Sequence, residues 1–64
     1  MSFNPIYSYF DELQNVINDN QSYFTKFVEG NNSAGTRVRK AMQTVKSLAQ
    51  DIRVEVHDQK NNQF

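Results

Sequence analysis

Two apolar stripes at helical spacing, separated by one Gly-Asn turn, decide most of what this chain can fold into. Phe3, Ile6, Phe10, Leu13, Ile17, Asn20, Phe24 and Phe27 recur at alternating steps of three and four. That is a heptad seam with one polar member. Tyr7, Tyr9, Val16, Tyr23 and Val28 widen its apolar surface. Beyond the turn, Val38, Ala41, Met42, Val45, Leu48, Ala49, Ile52 and Val56 make a second continuous stripe. The alternation Val54-Glu55-Val56 is too short to override the helical period.

Local signals place the ends. Asn4 can accept an N-cap bond, and Pro5 suits a first helical position, where its missing N–H would be unpaired anyway. Asp11 and Glu12 lie early in the segment, where the helix dipole favours acids. Gly30 can take the left-handed conformation that stops a helix. Helix 1 is expected over about 5–29, with Phe3 folded over its start, then a turn at 30–33. Helix 2 is expected over about 33–58 with Asn32 or Ser33 as its N-cap, and 59–64 as a frayed tail. The whole of 1–64 reads as one helical-hairpin domain.

A chain of 64 residues builds a small core and usually needs a disulfide, a metal or a partner. It has no Cys and one His, His57, so disulfides are excluded and metal sites are unsupported. Oligomerisation is the remaining source of stability. Helix 1 would be roughly 37 Å long, too long for one partner helix to cover its apolar face. The expected fold is therefore all-α: an antiparallel two-helix hairpin assembling into a homodimeric four-helix bundle, with a tetramer as the larger alternative. Phe10, Leu13, Ile17, Asn20, Phe24, Phe27, Val45, Leu48 and Ile52 are the expected oligomer interface. Asn20 reads either as a satisfied polar residue in the core or as a device that fixes register.

Charge is distributed unevenly. The chain is neutral, with 7 Lys+Arg against 7 Asp+Glu. Residues 1–30 hold Lys26 against Asp11, Glu12, Asp19 and Glu29, net −3; residues 31–64 carry the balancing +3. From Asn31 to Gln50 there are Arg37, Arg39, Lys40 and Lys46 and no acid at all. Cations clustered where a helix begins form a candidate anion site, and nucleic acid is the polyanion that fits a protein this small. Arg39, Lys46, Arg53 and Lys60 are spaced by seven and form a line beside the second stripe, with Arg37 and Lys40 on the opposite flank. Such a line is either a solvated or partner-paired helix face, or a track for phosphates. In the second reading Thr36, Arg37, Arg39 and Lys40 anchor DNA at the turn, and Lys46 and Arg53 extend the contact. Gly30, Asn31 and Gly35 would then serve as turn and close-approach positions. No aromatic residue interleaves with these cations, so stacking on single-stranded bases is unsupported.

Enzyme chemistry finds no support. No Ser/His/Asp or Cys/His set is present, nor a phosphate loop or metal-ligand spacing, and His57 beside Glu55 and Asp58 reads as a surface histidine. No cofactor or small-molecule substrate is implied. No apolar run approaches membrane length and no signal pattern opens the chain, so a cytoplasmic, nucleoid-associated location is expected.

The segment Gly30-Asn31-Asn32-Ser33-Ala34-Gly35-Thr36-Arg37-Val38-Arg39-Lys40 resembles the bacterial linker-histone-like nucleoid proteins of the chlamydial type. It is similar still more to their short, tail-less Bacteroidetes relatives. The shared pattern is Gly30, Asn31, Ala34, Arg37, Val38 and Arg39, with Leu48, Ala49 and Arg53 downstream. The resemblance spans roughly residues 6–58 and implies a helical, DNA-binding nucleoid protein. Those of the chlamydial type carry a long Lys-rich tail, whereas Gln59 to Phe64 hold one cation, so here a folded basic surface would have to bind. The reading is histone-like, sequence-independent binding of double-stranded DNA; a helical oligomeric protein-interaction module with no DNA role is the alternative.

Overall fold

The structure, a computed structural model, describes residues 4–62; the expected packing of Phe3, and the last two residues of the expected tail, lie outside them. Two helices, α1 (Pro5–Val28) and α2 (Asn32–Asn61), account for nearly all of it. They pack antiparallel as a hairpin 53 Å long and 20 × 12 Å across. The described residues thus form an all-helical structure. Asn4 caps α1 by accepting the Ile6 N–H on its side-chain oxygen at 3.0 Å, and Pro5 occupies the first helical position.

The turn between the helices closes on itself. Gly30, at φ +106°, is the one described residue in left-handed backbone. Its N–H reaches the Phe27 carbonyl at 3.0 Å, and the Asn31 N–H reaches the Lys26 carbonyl at 2.9 Å. This bond pair is a Schellman motif, which satisfies carbonyls a helix end would leave open. The N-cap of α2 is Asn31, not the expected Asn32 or Ser33. The Asn31 side-chain oxygen accepts the Ala34 N–H at 3.3 Å and the Ser33 hydroxyl at 2.7 Å. The residue that ends the Schellman motif therefore also begins α2, so the reversal needs only Glu29 to Asn31.

At the other end α2 runs three residues past the expected Asp58. The extension has a partner. The Asn4 and Gln59 side-chain amides exchange two hydrogen bonds, at 2.9 and 2.8 Å, and Gln59 also donates to Glu55. The cap of α1 and the last turns of α2 thus hold each other, so residues 59–61 are helix where a frayed tail was expected.

Packing between the helices follows heptads on both. On α2, Ala34, Ala41 and Leu48 are buried, alternating with half-buried Val38, Val45 and Ile52, then Glu55 and Gln59. On α1 the half-buried residues are Pro5, Ile6, Tyr9, Leu13, Val16, Asn20 and Tyr23, and none is fully buried. The α1 seam read from sequence therefore divides. Leu13 and Asn20 belong to the row facing α2, while Phe10, Ile17, Phe24 and Phe27 are exposed. Of the remaining expected interface residues, Val45, Leu48 and Ile52 lie in the hairpin's own seam. Asn20 donates its amide to the Val16 carbonyl at 2.8 Å, which satisfies that donor within its own helix.

Candidate nucleic-acid interface

The tight turn brings the end of α1 against the start of α2. The opposed pairs Asn4–Gln59 and Phe27–Gly35 set the register: a residue of α1 meets the residue of α2 whose number makes up about 63. The Phe27 ring lies directly over Gly35. A Cβ there would stand 2.7 and 2.8 Å from two ring carbons, well inside van der Waals contact. The close approach expected at Gly35 is thus made by the chain's own Phe27, and this explains why an otherwise helix-weakening Gly stands in the first turns of α2.

The same register puts Lys26 opposite Arg37, and Tyr23 lies between them. The Arg37 guanidinium sits 5.1 Å from the Tyr23 ring centroid and the Lys26 ammonium 5.6 Å from it. Both are within cation–π range. Arg37 Nη1 also donates to the Tyr23 hydroxyl at 3.5 Å. Tyr23, Lys26, Asn31, Ser33, Ala34 and Arg37 line a cleft of about 270 Å³ at this end of the rod. Two cations from different helices thus converge on one face. Lys26 and Tyr23 did not stand out in the sequence, because Lys26 lies eleven residues before Arg37 in an acidic half. The signal that would have found them is the hairpin register.

The expected DNA-contacting residues are all exposed, and they do not form one patch. Arg37 lies on the Tyr23 side. Ser33, Thr36, Arg37 and Lys40 line a shallow groove on the outer surface of α2. Arg39 borders Phe27 and Gly35 on the other side. Lys46 and Arg53 share a surface depression with Asp51 further along α2. Near the turn, then, Lys26, Arg37, Lys40 and Arg39 surround the first turns of α2 from three sides, while Lys46 and Arg53 lead away along one flank. The helix-1 acids leave these cations alone: no hydrogen bond among the described residues joins a Lys or Arg to a carboxylate. His57, exposed on α2, pairs with the Asn61 amide at 3.0 Å.

Among the described residues no group of three His, Cys, Asp or Glu side chains is arranged to hold a metal. No helix among the described residues is long and apolar enough to cross a membrane. A helical hairpin whose turn gathers unneutralised cations is an architecture suited to an extended polyanion. The family comparison agrees with it. Residues 8–62 match the family described as histone H1-like protein Hc1, and the chain belongs to that family. No curated protein and no solved structure matches it.

Proposed function

We propose that this chain binds double-stranded DNA without base preference and organises the bacterial nucleoid, acting in the cytoplasm as a homodimeric four-helix bundle. One observation carries the reading: Lys26, Arg37, Arg39 and Lys40 surround the start of α2 with no carboxylate among the described residues hydrogen-bonded to any of them. Membership of a histone H1-like family supports it. These side chains would contact phosphates, Thr36 would add a hydroxyl donor, and Lys46 and Arg53 would extend the contact along the duplex. Phosphate contacts fix position and carry no sequence information, so two unrelated duplexes should bind alike.

A mobility-shift titration with two duplexes of equal length and unrelated sequence, at low and moderate salt, tests this. Comparable shifts that weaken steeply with salt are expected. No shift at micromolar protein in low salt would sink the proposal. It would favour the second reading, docking onto an acidic partner helix, for which the line Arg39, Lys46, Arg53 and Lys60 beside exposed apolar residues is the supporting feature.

A further inference from the structure

One long side of the hairpin carries apolar residues from both helices. Phe10, Ile17 and Phe24 of α1 are spaced by seven and are 49%, 46% and 57% exposed. Met42 and Val56 of α2, also exposed, share a heptad row with Gly35 and half-buried Ala49. An apolar groove lined by Ile17, Phe24, Val38 and Met42 joins the two rows.

Orientation of the α1 residues is the informative point. Three adjacent pairs recur every seven residues: Tyr9-Phe10, Val16-Ile17 and Tyr23-Phe24. In each, the less apolar or smaller member faces α2 and the more apolar one faces outward. A lone hairpin would gain more from the opposite rotation. The outward choice is explained if a second apolar surface covers that side.

Area supports the same conclusion. A compact monomer of 7.5 kDa should expose about 4,200 Å², and this chain exposes 5480 Å². A compact pair of twice that mass would expose about 7,000 Å², so two copies would bury up to about 3,900 Å², within the range of obligate homodimers. The occupant is a second copy of this chain.

Charge then selects how the copies lie. On α2 the apolar row is bordered by Arg39, Lys46, Arg53 and Lys60, each four residues after a member of the row. On α1 the corresponding border is Tyr7, Gln14, Gln21 and Val28, with no charge. Two twofold arrangements keep all neighbouring helices antiparallel. If the turns point to opposite ends, α2 lies on α2 and eight cations line one edge. If the turns share an end, α2 lies on the partner's α1 and every cationic row meets a neutral one. Like charges at that spacing repel within the screening length of about 8 Å at physiological salt.

We infer that two hairpins pair through this face with α2 of each against α1 of the other and both turns at the same end. The inference rests on the dimeric assembly proposed above and adds its geometry. Both cationic turn sites would then stand side by side and grip one duplex, where the opposite arrangement would hold two duplexes apart at the ends of the rod.

The chain has no Cys, so one engineered thiol per copy reports the arrangement. Asn32→Cys places a spin label at the exposed turn, and Asn62→Cys places one at the far end. Light scattering first gives the mass of each labelled protein in the absence of DNA, and pulsed dipolar spectroscopy then gives the label-to-label distance. With the turns together, both variants should give distances of about 25 Å or less, the diagonal of a four-helix bundle with neighbour spacing of roughly 8–10 Å, about 11–14 Å, plus the label arms. A distance near the 53 Å length of the rod in either variant overturns the arrangement while leaving the dimer intact. A monomer mass for both overturns the pairing altogether, and leaves the DNA-binding proposal to its own titration.

Discussion

The double substitution Lys26→Gln with Arg37→Gln separates the cleft at the turn from the rest of the basic surface. Both cations lie over the Tyr23 ring, at 5.6 and 5.1 Å, within cation–π range of it. If each contacts one phosphate, the plot of log affinity against log salt should lose about 0.9 in slope per contact. The double variant should therefore be shallower by about 1.8. The same relation gives each contact about eightfold in affinity at 0.1 M salt, and the pair about sixtyfold. In a dimer with both turn sites on one duplex the slope change doubles, to about 3.6. The assay is a fluorescence-anisotropy titration at four or five salt concentrations, on two unrelated duplexes. Circular dichroism guards against misfolding, since loss of the cation–π contacts also removes a small stabilising term. An unchanged slope, with the helical content intact, refutes the assignment of the cleft. If Lys46→Gln with Arg53→Gln then lowers the slope, the phosphates lie along α2 and not at the turn.

Other consequences are simpler to read. Leu48, 6% exposed, is the one large apolar side chain that is buried among the described residues. Leu48→Ala should cost about 2–5 kcal/mol, against a total of about 3–10 kcal/mol for a chain this size, so the thermal midpoint should fall by roughly 8–40 °C. Gly35→Ala sets a gain of about 1 kcal/mol in helix propensity against a Cβ driven into the Phe27 ring. Overpacking costs about 1–3 kcal/mol, so a net loss of midpoint temperature is expected, and Phe27→Ala made in the same chain should reverse its sign. Gln59→Ala removes the paired amide bonds to Asn4; hydrogen exchange should quicken at the start of α1 and the end of α2, with little change at the turn. If the assembly is a dimer, the melting temperature of the unmodified protein should rise with protein concentration, and a midpoint independent of concentration counts against it.

What was legible in the sequence is what local chemistry fixes. Asn4, Pro5 and Gly30 each carry their signal within a few residues, through a cap, a preset φ and a tolerated positive φ. The apolar period of α2 was equally plain: of the stripe from Val38 to Val56, Val38, Ala41, Val45, Leu48 and Ile52 pack in the seam, while Met42 and Val56 are exposed. The rotation of α1 was not legible. Tyr9-Phe10, Val16-Ile17 and Tyr23-Phe24 place an apolar residue in two neighbouring rows, so a period of seven fits either rotation. Only the packing against α2 decides, and it turns the phenylalanines outward. The end of α2 was missed for a related reason: Gln59 looks like a polar tail residue until Asn4, 55 positions away, supplies its partner. Lys26 was missed because charge was counted along the chain, whereas the hairpin mixes its two halves in space.

That mixing also explains how a chain with no net charge could bind a polyanion. Folding redistributes the charges along the rod. The half nearer the turn, residues 20–45, holds Lys26, Arg37, Arg39 and Lys40 against Glu29, net +3; the open half carries the compensating −3. At about 1.5 Å per residue, Arg37 stands roughly 21 Å from Asp51 and 31 Å from Asp58 along α2. Both distances exceed the screening length of about 8 Å at physiological salt, so a phosphate at the turn is influenced by the cations and scarcely by the distant carboxylates. Lowering the salt lengthens the screening distance to about 30 Å at 0.01 M, and the acidic half then begins to oppose binding. Affinity should therefore rise less steeply below about 0.03 M salt than the slope at higher salt extrapolates. Asp51→Asn with Asp58→Asn should straighten that curvature while leaving affinity near 0.15 M almost unchanged. Equal gains from the acid substitutions at both salt concentrations would mean that phosphates lie close to Asp51, and that the extension along Lys46 and Arg53 carries as much of the contact as the turn.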